Sequence, residues 1–67
     1  MNKKRTAGEI FKKARINKNL TQIEVAEKAQ IHPNTYAKIE RDEQDPSFAT
    51  IKNLAKVLDV NISDIPA

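Results

Sequence analysis

"LTQIEVAEKAQIHPNTYAKIE", residues 20–40, decides the fold. Thr21 followed by Glu24 is a capping box: the hydroxyl takes the amide of Glu24 while that carboxylate reaches back to the amide of Thr21. Leu20 and Val25 flank it as a hydrophobic staple. A short helix over Gln22 to Ala29 follows, and "QIH" interrupts its pattern. Proline is tolerated at the first helical position, where no backbone donor is lost, so Pro33 marks a restart with His32 as cap. Ile31 and Tyr36 form a second staple, and this helix runs from Pro33 to Arg41. Two short helices joined by about three residues, the second carrying an exposed polar stripe near its start, make a helix-turn-helix unit.

Outward from this unit the helical pattern continues on both sides. Ala7, Ile10, Phe11 and Ala14 follow the i, i+3, i+4, i+7 rule, giving a first helix from Thr6 to Lys18. It ends near Asn17 to Asn19, where asparagine tolerates a left-handed backbone. After the polar turn "DEQDPS", Ser47 is the cap of a fourth helix whose apolar set is Phe48, Ile51, Leu54, Ala55 and Leu58. A last short helix opens at Asn61, with Asp64 completing a box and Val60 and Ile65 a staple. No stretch alternates apolar and polar residues as a half-buried strand does. The chain is therefore read as all-α, a compact bundle of about five short helices. It shows no internal repeat, low-complexity run or linker, so residues 1–67 are expected to form a single domain.

Composition narrows the function classes. A chain of 67 residues buries only about 60% of its unfolded surface, and with no cysteine it must hold together by packing alone. No apolar run approaches the roughly 20 residues that span a bilayer, and "MNKKRTAGEIFKKAR" lacks the apolar core of a secretory signal. A cytoplasmic location is expected. Residues 1–20 hold seven basic side chains against Glu9 alone, whereas residues 21–67 hold five basic and eight acidic ones. One cationic end suits a polyanion, although a solvated basic helix with a frayed tail has the same composition. Lys3, Lys4 and Arg5 are expected to form a flexible basic arm over residues 1–5 that meets phosphates. Residues 3–16 offer a membrane surface only Ile10 and Phe11 as large anchors, and those are better placed in the core.

Catalysis is not supported. The chain has one histidine, no cysteine and only Gly8 as glycine, so it can build neither a phosphate loop nor a zinc site. "ERDEQD" lacks the glycine and the ligand spacing of a calcium loop, and a solvated turn is preferred. No metal, cofactor or small-molecule ligand is expected. Asn34, Ala37, Lys38 and Arg41 share one face at i, i+3, i+4 and i+7. Asparagine can bond N6 and N7 of adenine together, and lysine can reach O6 or N7 of guanine. Pro33 and Ala37 supply apolar contact suited to a thymine methyl, and Thr35, at the edge of the face, can reach a base or a phosphate. An ordinary solvated helix face would show the same spacing.

Residues 9–65 resemble the phage-repressor and Cro-like (XRE-type) helix-turn-helix proteins. The residues that carry the likeness are the opening "LTQ", Ala26 where the two helices cross, "KIER" at the end of the third helix, "PS" before the fourth and "LAKVLDV" closing it. The resemblance implies a lambda-repressor-like DNA-binding domain that regulates transcription, as a repressor, and binds a palindromic double-stranded DNA operator as a homodimer. Gln22 stands where the family uses a glutamine to hold a phosphate and brace the recognition helix. Arg15 and Glu40 stand where it places a partly buried ion pair. Arg41 is assigned to phosphate, Gln44 and Ser47 more weakly so. An antitoxin-type or other protein-binding module on the same fold is the alternative. If the chain dimerises, Val57, Val60, Ile62 and Ile65 are the expected contact, unless they simply close the core.

Two departures from the family concern glycine. Gln30 occupies the turn position, and Asp42 the position after the third helix, where the family's backbone takes positive φ. A third is the acidic run Asp42, Glu43 and Asp45, which would repel phosphates if it faced them.

Overall fold

Thr21 builds the second helix as its spacing requires: its Oγ1 accepts the amide of Glu24 at 3.0 Å and its own amide donates to Glu24 Oε1 at 2.8 Å. The computed structural model describes residues 6–66. In them α1 spans Ala7–Asn17, α2 Gln22–Ala29, α3 Pro33–Glu40 and α4 Phe48–Leu58. The expected fifth helix is a single 3-10 turn, Ile62–Asp64. The count of about five helices is thus corrected to four plus that turn. Asn61 Oδ1 takes the amide of Ser63 at 3.1 Å, while the Asp64 amide goes to the Asn61 carbonyl. A 3-10 turn closes where a capping box was expected.

Each helix has a side-chain cap. Thr6 and Glu9 form a second capping box at the start of α1, His32 Nδ1 accepts the amide of Asn34, and Ser47 Oγ accepts that of Thr50. Each also stops on a residue in the left-handed region: Asn19 (φ 57°), Gln30 (61°), Asp42 (60°) and Asp59 (55°). The following amide then closes back on the last turn, as in Leu20 to the Arg15 carbonyl and Ile31 to the Ala26 carbonyl. None of the four is glycine, the residue that adopts this backbone without strain.

The single glycine is used for close approach. Gly8, in the first turn of α1, is buried, and a Cβ there would meet the carbonyl oxygens of Ile39 and Glu40 and Oδ1 of Asp42. The N-terminus of α1 therefore rests on the C-terminus of α3, opposite ends of two helix dipoles. Thr6 Oγ1 donates to Asp42 Oδ2 at 2.8 Å and ties the same junction.

The core is Phe11 from α1, Val25, Ala26 and Ala29 from α2, Tyr36 and Ile39 from α3, and Leu54, Ala55 and Leu58 from α4. Ala26 and Ala29 bring no bulk where α2 meets its neighbours α3 and α4. Phe48 departs from the expected apolar set of α4: it is 66% exposed, with Lys52 Nζ over its ring. As the first residue of α4 it precedes the turn that reaches the core. Val57, Val60 and Ile65 pack against the core, leaving Ile62 as the exposed member of the proposed contact set. Among the described residues no helix is long and apolar enough to cross a membrane.

Candidate nucleic-acid interface

Pro33 fixes φ at the first position of α3 and His32 caps it, so the helix starts where its side chains begin to alternate between core and solvent. Tyr36, Ile39 and Glu40 are buried, Asn34 and Lys38 are exposed, and Pro33, Thr35 and Ala37 are half-buried. The amide of Asn34 lies 3.0 Å from His32 Nδ1. Accepting that bond requires Nδ1 unprotonated, which puts the proton of the neutral ring on Nε2.

Beneath the exposed stripe lies the one buried charged residue among those described, Glu40. Arg15 grips it with both arms, Nε to Oε2 at 2.6 Å and Nη2 to Oε1 at 3.2 Å, and spends Nη1 on the Leu20 carbonyl at 3.0 Å. Gln22 Nε2 donates to Oε1 at 2.9 Å. One carboxylate at the end of α3 thereby joins the last turn of α1, the turn after it and the first residue of α2. Burial alone would raise the Glu40 pKa, but the donors from Arg15 and Gln22, with the Tyr36 hydroxyl close by, outweigh it and hold the carboxyl below its ordinary range. The same hydrogen bonding raises the Arg15 guanidinium against a smaller opposing effect of burial.

Tyr36 is wholly buried, and its hydroxyl has no partner of hydrogen-bonding geometry. Burial first, and then the adjacent Glu40 carboxylate, push its ionisation far upward. The spacing marks the aromatic body of Tyr36 as core and by itself assigns its hydroxyl nothing. The signal for it is Tyr36-x-x-x-Glu40, one helical turn apart. No local spacing points to Gly8, whereas the Thr6-x-x-Glu9 box has the same spacing as the one at Thr21.

The remaining candidates are less concerted. Arg41 is exposed and pairs with Glu43, Nε to Oε2 at 3.0 Å and Nη2 to Oε1 at 3.1 Å. Ser47 Oγ is occupied by its cap and by a bond to Thr50 Oγ1 at 3.0 Å. Gln44 is exposed. Of the acidic run, Asp42 turns toward Thr6 and Glu43 toward Arg41, so two of its three carboxylates are engaged within the protein. Lys3, Lys4 and Arg5 lie outside the described residues.

The sequence pattern of the helix-turn-helix family matches residues 11–65. The chain is also 38% identical over 60 residues to an immunity repressor protein of Bacillus phage phi105, a match that covers 90% of this chain. It spans 42% of the length of that relative.

Proposed function

Because the chain belongs to the XRE-type helix-turn-helix family, to which phage repressors also belong, we propose that it is a non-enzymatic, sequence-specific DNA-binding regulator of transcription that acts as a repressor. In this mechanism α3 enters the major groove while the start of α2 sits across the phosphate backbone. Asn34 bonds an adenine edge and Lys38 a guanine, each worth roughly 1–3 kcal/mol of discrimination. Pro33 and Ala37 lie against thymine methyls, with Thr35 at their edge. Gln22, together with the amides and positive end of α2, holds a phosphate. Arg41 takes a second phosphate by exchanging Glu43 for it, and Gln44 and Ser47 contribute weakly. Lys3, Lys4 and Arg5 add salt-sensitive affinity as an arm of the single domain 1–67.

The observation that carries this reading is the network at Glu40. It fixes the side of α3 opposite Asn34 and Lys38 to α1 and to Gln22, so that a base-reading stripe and a phosphate-binding terminus are held in one rigid unit. A homodimer would then place two such units about 34 Å apart on a palindromic operator, in the cytoplasm. Its contact would include Ile62, 41% exposed, at the edge of Val57, Val60 and Ile65.

Selection of binding sites from random duplexes tests the proposal, since it reports affinity, palindromy and spacing together. On the selected site Lys38→Ala is expected to relax preference at one base pair per half-site, whereas Gln22→Ala weakens all sequences alike. Failure to enrich any sequence, or equal losses on operator and random DNA for Lys38→Ala, would remove the base-reading role.

A further inference from the structure

We propose that the Tyr36 hydroxyl is a reserve donor for Glu40: when a DNA phosphate draws the Gln22 amide away, the phenol takes its place on the buried carboxylate and keeps α3 anchored. The proposal rests on the phosphate role given to Gln22 above.

Three features of the network lead to it. The hydroxyl is buried without a partner, so in the free protein a phenylalanine would serve the packing as well. It is one helical turn from Glu40 on the same buried side of α3, where side chains four residues apart meet. And Glu40 Oε1 carries two donors, Arg15 Nη2 at 3.2 Å and Gln22 Nε2 at 2.9 Å, of which only Gln22 belongs to a surface on which a phosphate would sit. A carboxylate offers about four acceptor sites, and burial makes each vacated one costly. Turning Gln22 outward strips Glu40 of a donor at the moment when the recognition helix is loaded. The phenol is the uncommitted donor within that buried cluster, so a small shift of its ring and rotation of its O–H restore the count. Tyr36 is thus a positioning residue for phosphate capture and does not touch DNA.

The chain contains one tyrosine and no tryptophan, which makes the phenol its own reporter. In protein labelled at tyrosine Cζ, the single carbon resonance is expected to shift to a hydrogen-bonded position on addition of a mixed-sequence duplex of about two helical turns. In Gln22→Ala it should be shifted before DNA is added. Tyr36→Phe should melt no lower than the parent yet bind that duplex about ten-fold more weakly, equivalent to about 1.4 kcal/mol. In the Gln22→Ala background the same replacement should change affinity less than about two-fold, because the coupled donor is already gone. If Gln22→Ala weakens binding while Tyr36→Phe does not, the reserve role is wrong and the phosphate role stands. If Gln22→Ala binds like the parent, both fall. A lower melting temperature in Tyr36→Phe would mean the hydroxyl is already bonded in the free protein, and would likewise overturn it.

Discussion

Replacing Gly8 by alanine should be the most damaging single methyl that can be added to this protein. The new Cβ would lie 2.7 Å from the Glu40 carbonyl oxygen, 2.8 Å from Asp42 Oδ1, and against the Ile39 carbonyl. Two of these three atoms are backbone at the end of α3, so relief requires α1 and α3 to separate. Overpacking of this kind costs about 1–3 kcal/mol, and backbone contacts put it at the upper end. Alanine's better helix propensity offsets about 1 kcal/mol, which leaves a net loss near 2 kcal/mol. For a domain of this size that corresponds to a fall in Tm of about 8–16 °C, measured by far-UV circular dichroism. The movable atom can be tested separately, because Asp42→Gly removes its carboxylate and suits φ 60°. Gly8→Ala should cost nearly as much in the Asp42→Gly background as in the parent. An unchanged or higher Tm for Gly8→Ala refutes the close-approach argument, and a loss that vanishes in the Asp42→Gly background shows that the clash was with the side chain.

Gln30→Gly should raise Tm, since Gln30 holds φ 61° at a strain of about 1 kcal/mol that glycine does not incur; a lower Tm would mean that the glutamine side chain contributes more than its backbone costs. Because the Glu40 carboxyl is held below its ordinary range when folded, its stabilisation is complete above that range and disappears as pH falls through the folded pKa. Glu40→Gln should therefore lose about 3 kcal/mol at neutral pH and show a shallower fall in Tm as pH drops below the ordinary carboxylate range; parallel acid profiles for parent and variant would contradict this. Phe48→Ser should alter stability by no more than about 0.5 kcal/mol, since the ring is 66% exposed, and a larger fall in urea midpoint would place the ring in the core after all.

What was legible in the sequence follows the range of the interaction. Caps at Thr21, His32 and Ser47 are read from residues two or three apart, and the left-handed positions at Gln30 and Asp42 from the family pattern of glycines. The Arg41–Glu43 pair was not legible, because side chains two apart do not face each other on a helix. It forms because α3 stops at Glu40 and Asp42 reverses the chain, bringing the Glu43 amide back to the Lys38 carbonyl at 2.9 Å. Gly8 was silent for a related reason. A glycine in a first turn carries no local mark of the carbonyls that another helix presses against it, and those lie more than 30 residues away.

Both long-range contacts act on the same end of α3. Gly8 and Thr6 receive its C-terminal carbonyls and Asp42, while Arg15 and Gln22 hold the carboxylate of its last residue. At its other end Pro33 and the His32 cap start the helix, and there Asn34 faces solvent. A recognition helix contacts base edges chiefly with its N-terminal residues, so on the proposed mode of binding these bonds at the C-terminal end orient α3 without covering Asn34. A buried ion pair adds little net stability, since desolvation offsets its attraction, but it imposes one geometry on the groups that meet it. Among the described residues nine apolar side chains form the core, and an apolar replacement of Arg15 and Glu40 would remove the directional bonds that tie the end of α3 to α1 and Gln22. On the proposed function, loosening that anchor should degrade binding to every DNA sequence together, whereas changes at Asn34 or Lys38 should fall on single base pairs.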